Sequence, residues 1–141
     1  MKAVVGKLRT DDELVRLTKH KPPKDLRIAR VKPPIKGKSP FLGVKFISSV
    51  PRMPDTATAV QDAIIEFVAI STDEILSAAI ADRLEDLLHP NDNVEYYDFS
   101  SSEISNRSTL FTRRDVPVFD DDNDMWKSSI FVDIVWVNSP C

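Results

Sequence analysis

A chain of 141 residues, 42% hydrophobic and 29% charged, is long enough for one domain that buries about two thirds of the surface its unfolded form would expose. No apolar run approaches the ~20 residues of a membrane span. Met1 to Arg9 lacks the apolar core of a secretory signal, and the single Cys141 closes no internal disulfide, so the reading is a protein of the reducing cytosol with no membrane partner. The net charge of −3 conceals an asymmetry: residues 1–45 hold thirteen of the 19 Lys and Arg against only Asp11, Asp12, Glu13 and Asp25, leaving six bases to eighteen acids beyond them.

Thr10 with Glu13 has the spacing of a capping box, and Asp11 and Asp12 suit the positive end of a helix dipole. These signals predict a short helix from Asp11 to Lys19 with Leu14 and Leu17 inward, ending before Pro22-Pro23. Residues 20–40 then hold Pro22, Pro23, Pro33, Pro34 and Pro40 among lysines and arginines. That composition suits an extended, semi-rigid arm without regular structure, tacked down at Ile28 and Val31. A basic stretch is most often solvated surface. It also suits contacts between copies of the chain, and nucleic acid less well, because no Phe, Trp or Tyr lies between Arg16 and Lys38 for bases to stack on.

Phe41 to Val50 reads as a strand with Leu42, Val44 and Phe46 on one side, followed across a loop by a second strand, Ala59 to Ile70, as its hairpin partner. Ser71 with Glu74 is another capping box, opening a helix over 72–88. Ile75, Ala79, Ile80, Leu84, Leu87 and Leu88 form its apolar stripe, Asp82, Arg83, Glu85 and Asp86 face outward, and Pro90 ends it. Val94 to Phe99, Leu110 to Phe119 and Ile130 to Val137 supply further strands, separated by polar loops at 100–109 and 120–127. In the last strand Ile130, Val132, Ile134 and Trp136 alternate with Phe131, Asp133, Val135 and Val137. Both faces are largely apolar, which places it inside a covered sheet or against another subunit. The expected fold is α+β: one domain spanning 1–141, a mainly antiparallel sheet packed against one long amphipathic helix plus a short N-terminal helix, and the arm at 20–40.

Chemistry-bearing patterns are sparse. His20 and His89 lie beside prolines without zinc-ligand spacing, and Gly6, Gly37 and Gly43 form neither a phosphate-cradling loop nor a nucleophile elbow. Asp120, Asp122 and Asp124 have the alternate spacing of a calcium loop, but Met125 stands at the turn-glycine position and Phe131 where the bidentate Glu belongs. The sequence therefore reads as no enzyme, with no metal and no cofactor, and the acidic run as a solvated hairpin tip.

The order of several short motifs points to a family. Arg113-Arg114-Asp115, then Asp120-Asp121-Asp122, Met125-Trp126, Ser128-Ser129 and the alternating last strand resemble the C-terminus of lambda-type phage tail terminator (tail completion) proteins. The strand from Pro40-Phe41, the strand Gln61 to Ile70, Asp73-Glu74 and the helix to Leu88 follow the same family order, so the resemblance covers residues 40–137. The arm from Lys19 to Lys38 departs from the short lambda-type pattern. What the resemblance implies is a virion protein of the tail or neck, assembled in the host cytoplasm as a hexameric ring that caps the tail tube, stops its polymerisation and forms the head-tail joining surface. Its partners would be copies of itself, the tail tube protein and a head-completion or neck protein, with DNA passing through the lumen without specific binding. On that reading Asp120, Asp121, Asp122 and Asp124 are candidates for the lumen or for tube contact, and Arg113 and Arg114 for an interface pair. Lys21, Lys24, Arg27, Arg30, Lys32, Lys36 and Lys38 form a candidate subunit-interface arm. The alternatives are a head-to-tail adaptor or neck protein and a small cytosolic nucleic-acid-binding module.

Overall fold

The computed structural model describes residues 2–21, 26–30, 39–51, 60–88, 99–100, 104–122 and 124–138. Among them are three helices, α1 (Lys2–Leu8), α2 (Asp12–Thr18) and α3 (Glu74–Leu88), and six strands, β1 (Ile28–Arg30), β2 (Phe41–Pro51), β3 (Val60–Ser71), β4 (Ile104–Arg114), β5 (Val118–Asp120) and β6 (Met125–Asn138). The strands form one mixed sheet in the order β1-β2-β3-β6-β4, with β5 also on β6. Every neighbouring pair is antiparallel except β1 with β2, which is parallel.

β3 and β6 are the centre, paired from Val60↔Val137 to Ser71↔Trp126. Their alternation sends Ala63, Ile65, Phe67 and Ala69 of β3 and Ile130, Val132 and Ile134 of β6 to one face, joined there by Leu42 and Val44 of β2. All three helices pack on that face. Val4, Val5 and Leu8 of α1, Leu14 of α2, and Ile80, Ala81, Leu84 and Leu88 of α3 complete the core, with Phe99 stacked on Phe67 at 6.4 Å. Each fully buried Leu, Ile or Phe contributes about 1.5–3 kcal/mol before entropy.

The helix ends differ from the capping-box reading. Thr10 donates its hydroxyl back to the Lys7 carbonyl at the end of α1, while the Asp11 side chain accepts from the Leu14 N–H at 2.9 Å and so caps α2. The helix stops at Lys19, whose φ of 58° lies in the left-handed region. Lys19 N–H reaches the Arg16 carbonyl and His20 N–H the Val15 carbonyl, the paired bonds of a Schellman ending. On α3, Asp73 accepts from Ile75 N–H while Ser71 binds Asp73 N–H, so Asp73 is the cap and Ser71 ends β3. Ile75, expected inside, is 78% exposed in that first turn. The buried side contains Ser77 instead, whose hydroxyl donates to the Ala69 carbonyl at 2.8 Å and lies 3.0 Å from that of Ser128.

The arm is not wholly irregular: its described central part is β1, with Ile28 in the core and Leu42 N–H bonded to the Arg27 carbonyl. Buried His20 holds it there, Nδ1 accepting from the backbone N–H of Arg27 (2.8 Å) and Ile28 (3.1 Å). That nitrogen therefore carries its lone pair toward β1. Arg9 Nε donates to the Ile28 carbonyl at 2.9 Å. The outer side of β1 at Ile28 is thus closed by side chains, which protects an edge from adding another strand. Val31 and residues 94–98 of the strand expected from Val94 to Phe99 lie outside the described residues; Phe99 itself is buried and not in a strand.

At the other edge, the strand expected at 110–119 begins earlier and is broken: β4 ends at Arg114, and β5 resumes along the same side of β6 after Asp115 N–H has bonded the Ser129 carbonyl. Two bulges, around Arg107 and Thr112, interrupt β4. β6 starts five residues before the expected Ile130.

Candidate assembly surfaces

The acidic run is the tip of the β5–β6 hairpin. Val118 faces Lys127, Phe119 faces Trp126 and Asp120 faces Met125 across it. Asp120 is structural here, one carboxylate oxygen accepting from Asp122 N–H (3.0 Å) and the other paired with Lys127 Nζ at 2.7 Å. Asp121, Asp122 and Asp124 are exposed and take part in no ion pair among the described residues, and Asp124 turns the chain with φ 54°. Among the described residues no group of three or more His, Cys, Asp or Glu is placed to hold a metal ion. The Phe119 and Trp126 rings, 5.2 Å apart, stiffen the hairpin, and beside them Val116 and Val118 are 78% and 60% exposed.

Arg113 and Arg114, neighbours on a strand, point to opposite faces. Arg114 turns to the helical face and bridges Asp82 (2.5 Å) and Glu85 (2.7 Å) of α3. Burial works against its charge, but those two carboxylates hold its pKa above the ordinary value. Arg113 lies on the helix-free face, 4.2 Å over the Phe131 ring and 3.3 Å from Asp115. That face carries a row Lys45, Glu66, Phe131, Arg113 and a next row Ser48, Ile64, Asp133, Leu110. A buried cluster of Phe41, Ile70 and Met125 sits at one end of it.

Of the basic arm, Lys21 and Arg30 are exposed, and Arg27 is half-buried with its guanidinium reaching the Pro40 carbonyl. Lys24, Lys32, Lys36 and Lys38 lie outside the described residues. Lys19, which the sequence reading set at the helix end and the start of the arm but not among the candidate interface residues, joins Lys21 and Arg30 as an exposed cation with no ion pair among the described residues. The signal for it was the basic run itself, which begins before the prolines.

The helical layer is tied by a link between elements far apart in sequence. Arg83 of α3 donates to both carboxylate oxygens of Asp11, Nη2 at 2.7 Å and Nε at 3.1 Å. These bonds, helped by the Leu14 N–H and opposed by burial, hold the Asp11 carboxyl below its ordinary range.

Among the described residues no helix is long and apolar enough to cross a membrane. No protein-family model matches the sequence, and no curated protein matches it significantly. The fold itself is shared: a chain from a solved structure described as "Virion of native gene transfer agent (GTA) particle" aligns over 98% of this chain and 93% of its own length, with a TM-score of 0.59 at 19% sequence identity.

Proposed function

We propose that this chain is a non-enzymatic structural protein of a phage-like virion, acting as a tail terminator that closes into a ring on the finished tail tube and offers the joining surface for the head. The end-to-end fold match to a chain of a gene transfer agent virion carries this reading, and the order of motifs over residues 40–137 selects the terminator role within it. The surfaces support it. A ring needs one heterologous contact repeated with closure, and a chain whose unpaired charges are segregated supplies unlike surfaces for one. A hexamer follows from the same resemblance.

The test is to measure the mass of the purified protein in solution and image it by negative stain, alone and with tail tubes. Rings that seat on one end of each tube and stop its growth support the terminator role. Rings that bind only the head vertex point to a head-to-tail adaptor instead. Monomers that ignore tubes but retain DNA, less so as salt rises, would replace both with the nucleic-acid-binding module.

A further inference from the structure

The sheet converts the charge asymmetry of the sequence into two opposed edges. Strand order puts β1 at one side of the sheet and β5 at the other, with β2, β3 and β6 between them. That is four strand spacings, about 19 Å. The register also puts them at the same end. Ile28 lies across from Leu42, Leu42 from Ala69 and Ala69 from Ser128, while β5 faces the three residues Met125 to Lys127 just before. Among the described residues, those exposed and without an ion pair at the β1 edge are Lys19, Lys21 and Arg30, and at the β5 edge Asp121, Asp122 and Asp124. Neither set can satisfy the other within one chain, because the width of the sheet separates them.

We propose that the β5–β6 tip of one copy docks on the β1 edge of the next, a second copy of this chain being the occupant of both surfaces. The proposal rests on the ring reading above and names its contact. Charge complementarity argues for it: three acids face three bases, and the tip is presented by a hairpin held rigid by Phe119 on Trp126 and by Asp120 on Lys127. Val116 and Val118 flank the tip and are covered when a neighbour seats there. Because the two patches differ, the contact is heterologous, and repeated copies close into a ring or continue as a filament. Side chains already close the outer side of β1 at Ile28, so the neighbour binds through side-chain charge and not by extending the sheet.

The experiment uses two full-length variants, one carrying Asp121→Lys, Asp122→Lys and Asp124→Asn, the other Lys21→Glu, Arg30→Glu and Lys19→Asn. Asn replaces the two residues with left-handed backbone because it tolerates that conformation. Circular dichroism establishes that both fold, and sedimentation velocity measures assembly of each alone, of the mixture, and of the wild type at low and high salt. The expected result is that each variant alone needs at least about tenfold more protein to assemble and that an equimolar mixture forms a mixed species near wild-type size. Folded variants that assemble as the wild type does overturn the contact, leave the ring reading standing and return the acidic tip to the lumen or tube. Variants that dissociate and are not rescued by mixing overturn the pairing of these two edges. A wild type that stays monomeric at every concentration removes the ring reading and the contact with it.

Discussion

Removing the Asp11 carboxylate tests the link between the two helices that the sequence left separate. Asp11→Ala deletes the α2 cap, at a cost of about 1 kcal/mol, and the bidentate pair with Arg83. The pair is worth about another 1 kcal/mol, because the Arg83 side chain is about one-third exposed and solvent screens it. The total is about 2 kcal/mol, or roughly 4–8 °C in melting temperature for a domain of this size. Asp11→Asn keeps a capping oxygen and loses only the charge, so it should cost about half as much. A urea titration of wild type, both single variants, Arg83→Gln and the double variant Asp11→Asn with Arg83→Gln separates the two terms, with a coupling of about 1 kcal/mol expected. The pH dependence follows from the depressed Asp11 pKa. Its stabilisation is complete above the ordinary carboxylate range and is lost as pH falls through the lowered folded-state value. The advantage of wild type over Asp11→Asn should therefore vanish in acid. If Asn proves as destabilising as Ala, or the coupling stays below about 0.3 kcal/mol, Asp11 does not join the helices as described.

Three further outcomes follow from the same contacts. His20→Ala strands the buried N–H of Ile28 and the part-buried N–H of Arg27 and should cost about 2–3 kcal/mol in urea unfolding, with hydrogen exchange at those amides rising more than elsewhere in the sheet. Arg114→Gln should destabilise by about 1–2 kcal/mol by releasing Asp82 and Glu85, whereas Arg113→Gln, on an exposed contact, should cost about 0.5–1 kcal/mol; equal effects in thermal melts would contradict the face assignment. Substituting Asp121 and Asp122 with Lys should leave the melting temperature unchanged, while Asp120→Lys should lower it, because only Asp120 is bonded to Asp122 N–H and Lys127.

How much of this was readable from the chain depends on how local each cause is. The strands read at 41–50, 59–70 and 130–137 were legible because period-two alternation is set by the faces they bury, and they correspond to β2, β3 and the greater part of β6; α3 was legible because Ile80, Leu84 and Leu88 repeat at helical spacing. The cap of α2 was misread by one position, since Thr10 and Asp11 are both good caps. What decides between them is the Lys7 carbonyl at the end of α1, which takes the Thr10 hydroxyl. α1 was not anticipated: seven residues with Gly6 inside carry little helix signal, and burial of Val4, Val5 and Leu8 holds it. β1 was hidden among prolines, because its stability comes from His20, a residue whose role in the fold only its tertiary partners reveal. Ile75 and Ser77 exchanged places in the expected stripe for a similar reason. Ser77 is buried because the Ala69 carbonyl and Ser128 hydroxyl await it, a polar fit that hydrophobic periodicity does not register.

The charged residues divide along the same line. Their number and their segregation along the chain were plain, but Arg113 and Arg114, grouped from the sequence as a pair, point to opposite faces of β4. Which of the charges are already spent inside the molecule was not plain, because that depends on strand order. Arg114 answers α3 across about 30 residues of sequence, Arg83 answers Asp11 across 72, and Lys127 answers Asp120 across the hairpin. Once those pairs are subtracted, the exposed cations left near β1 and the exposed acids left beyond β5 stand on opposite edges of one sheet. Two strands of three residues each bring them there, which is why so little regular structure at 28–30 and 118–120 has so large an effect on what the surface can bind. Pairing of β1 with the start of β2 keeps these cations on the half of the sheet from which the acidic hairpin projects, with Arg30 level with Ile130 of β6. A shift in that pairing would move the cations relative to the tip and withdraw Ile28 from the core, while leaving the central β3–β6 pairing in register.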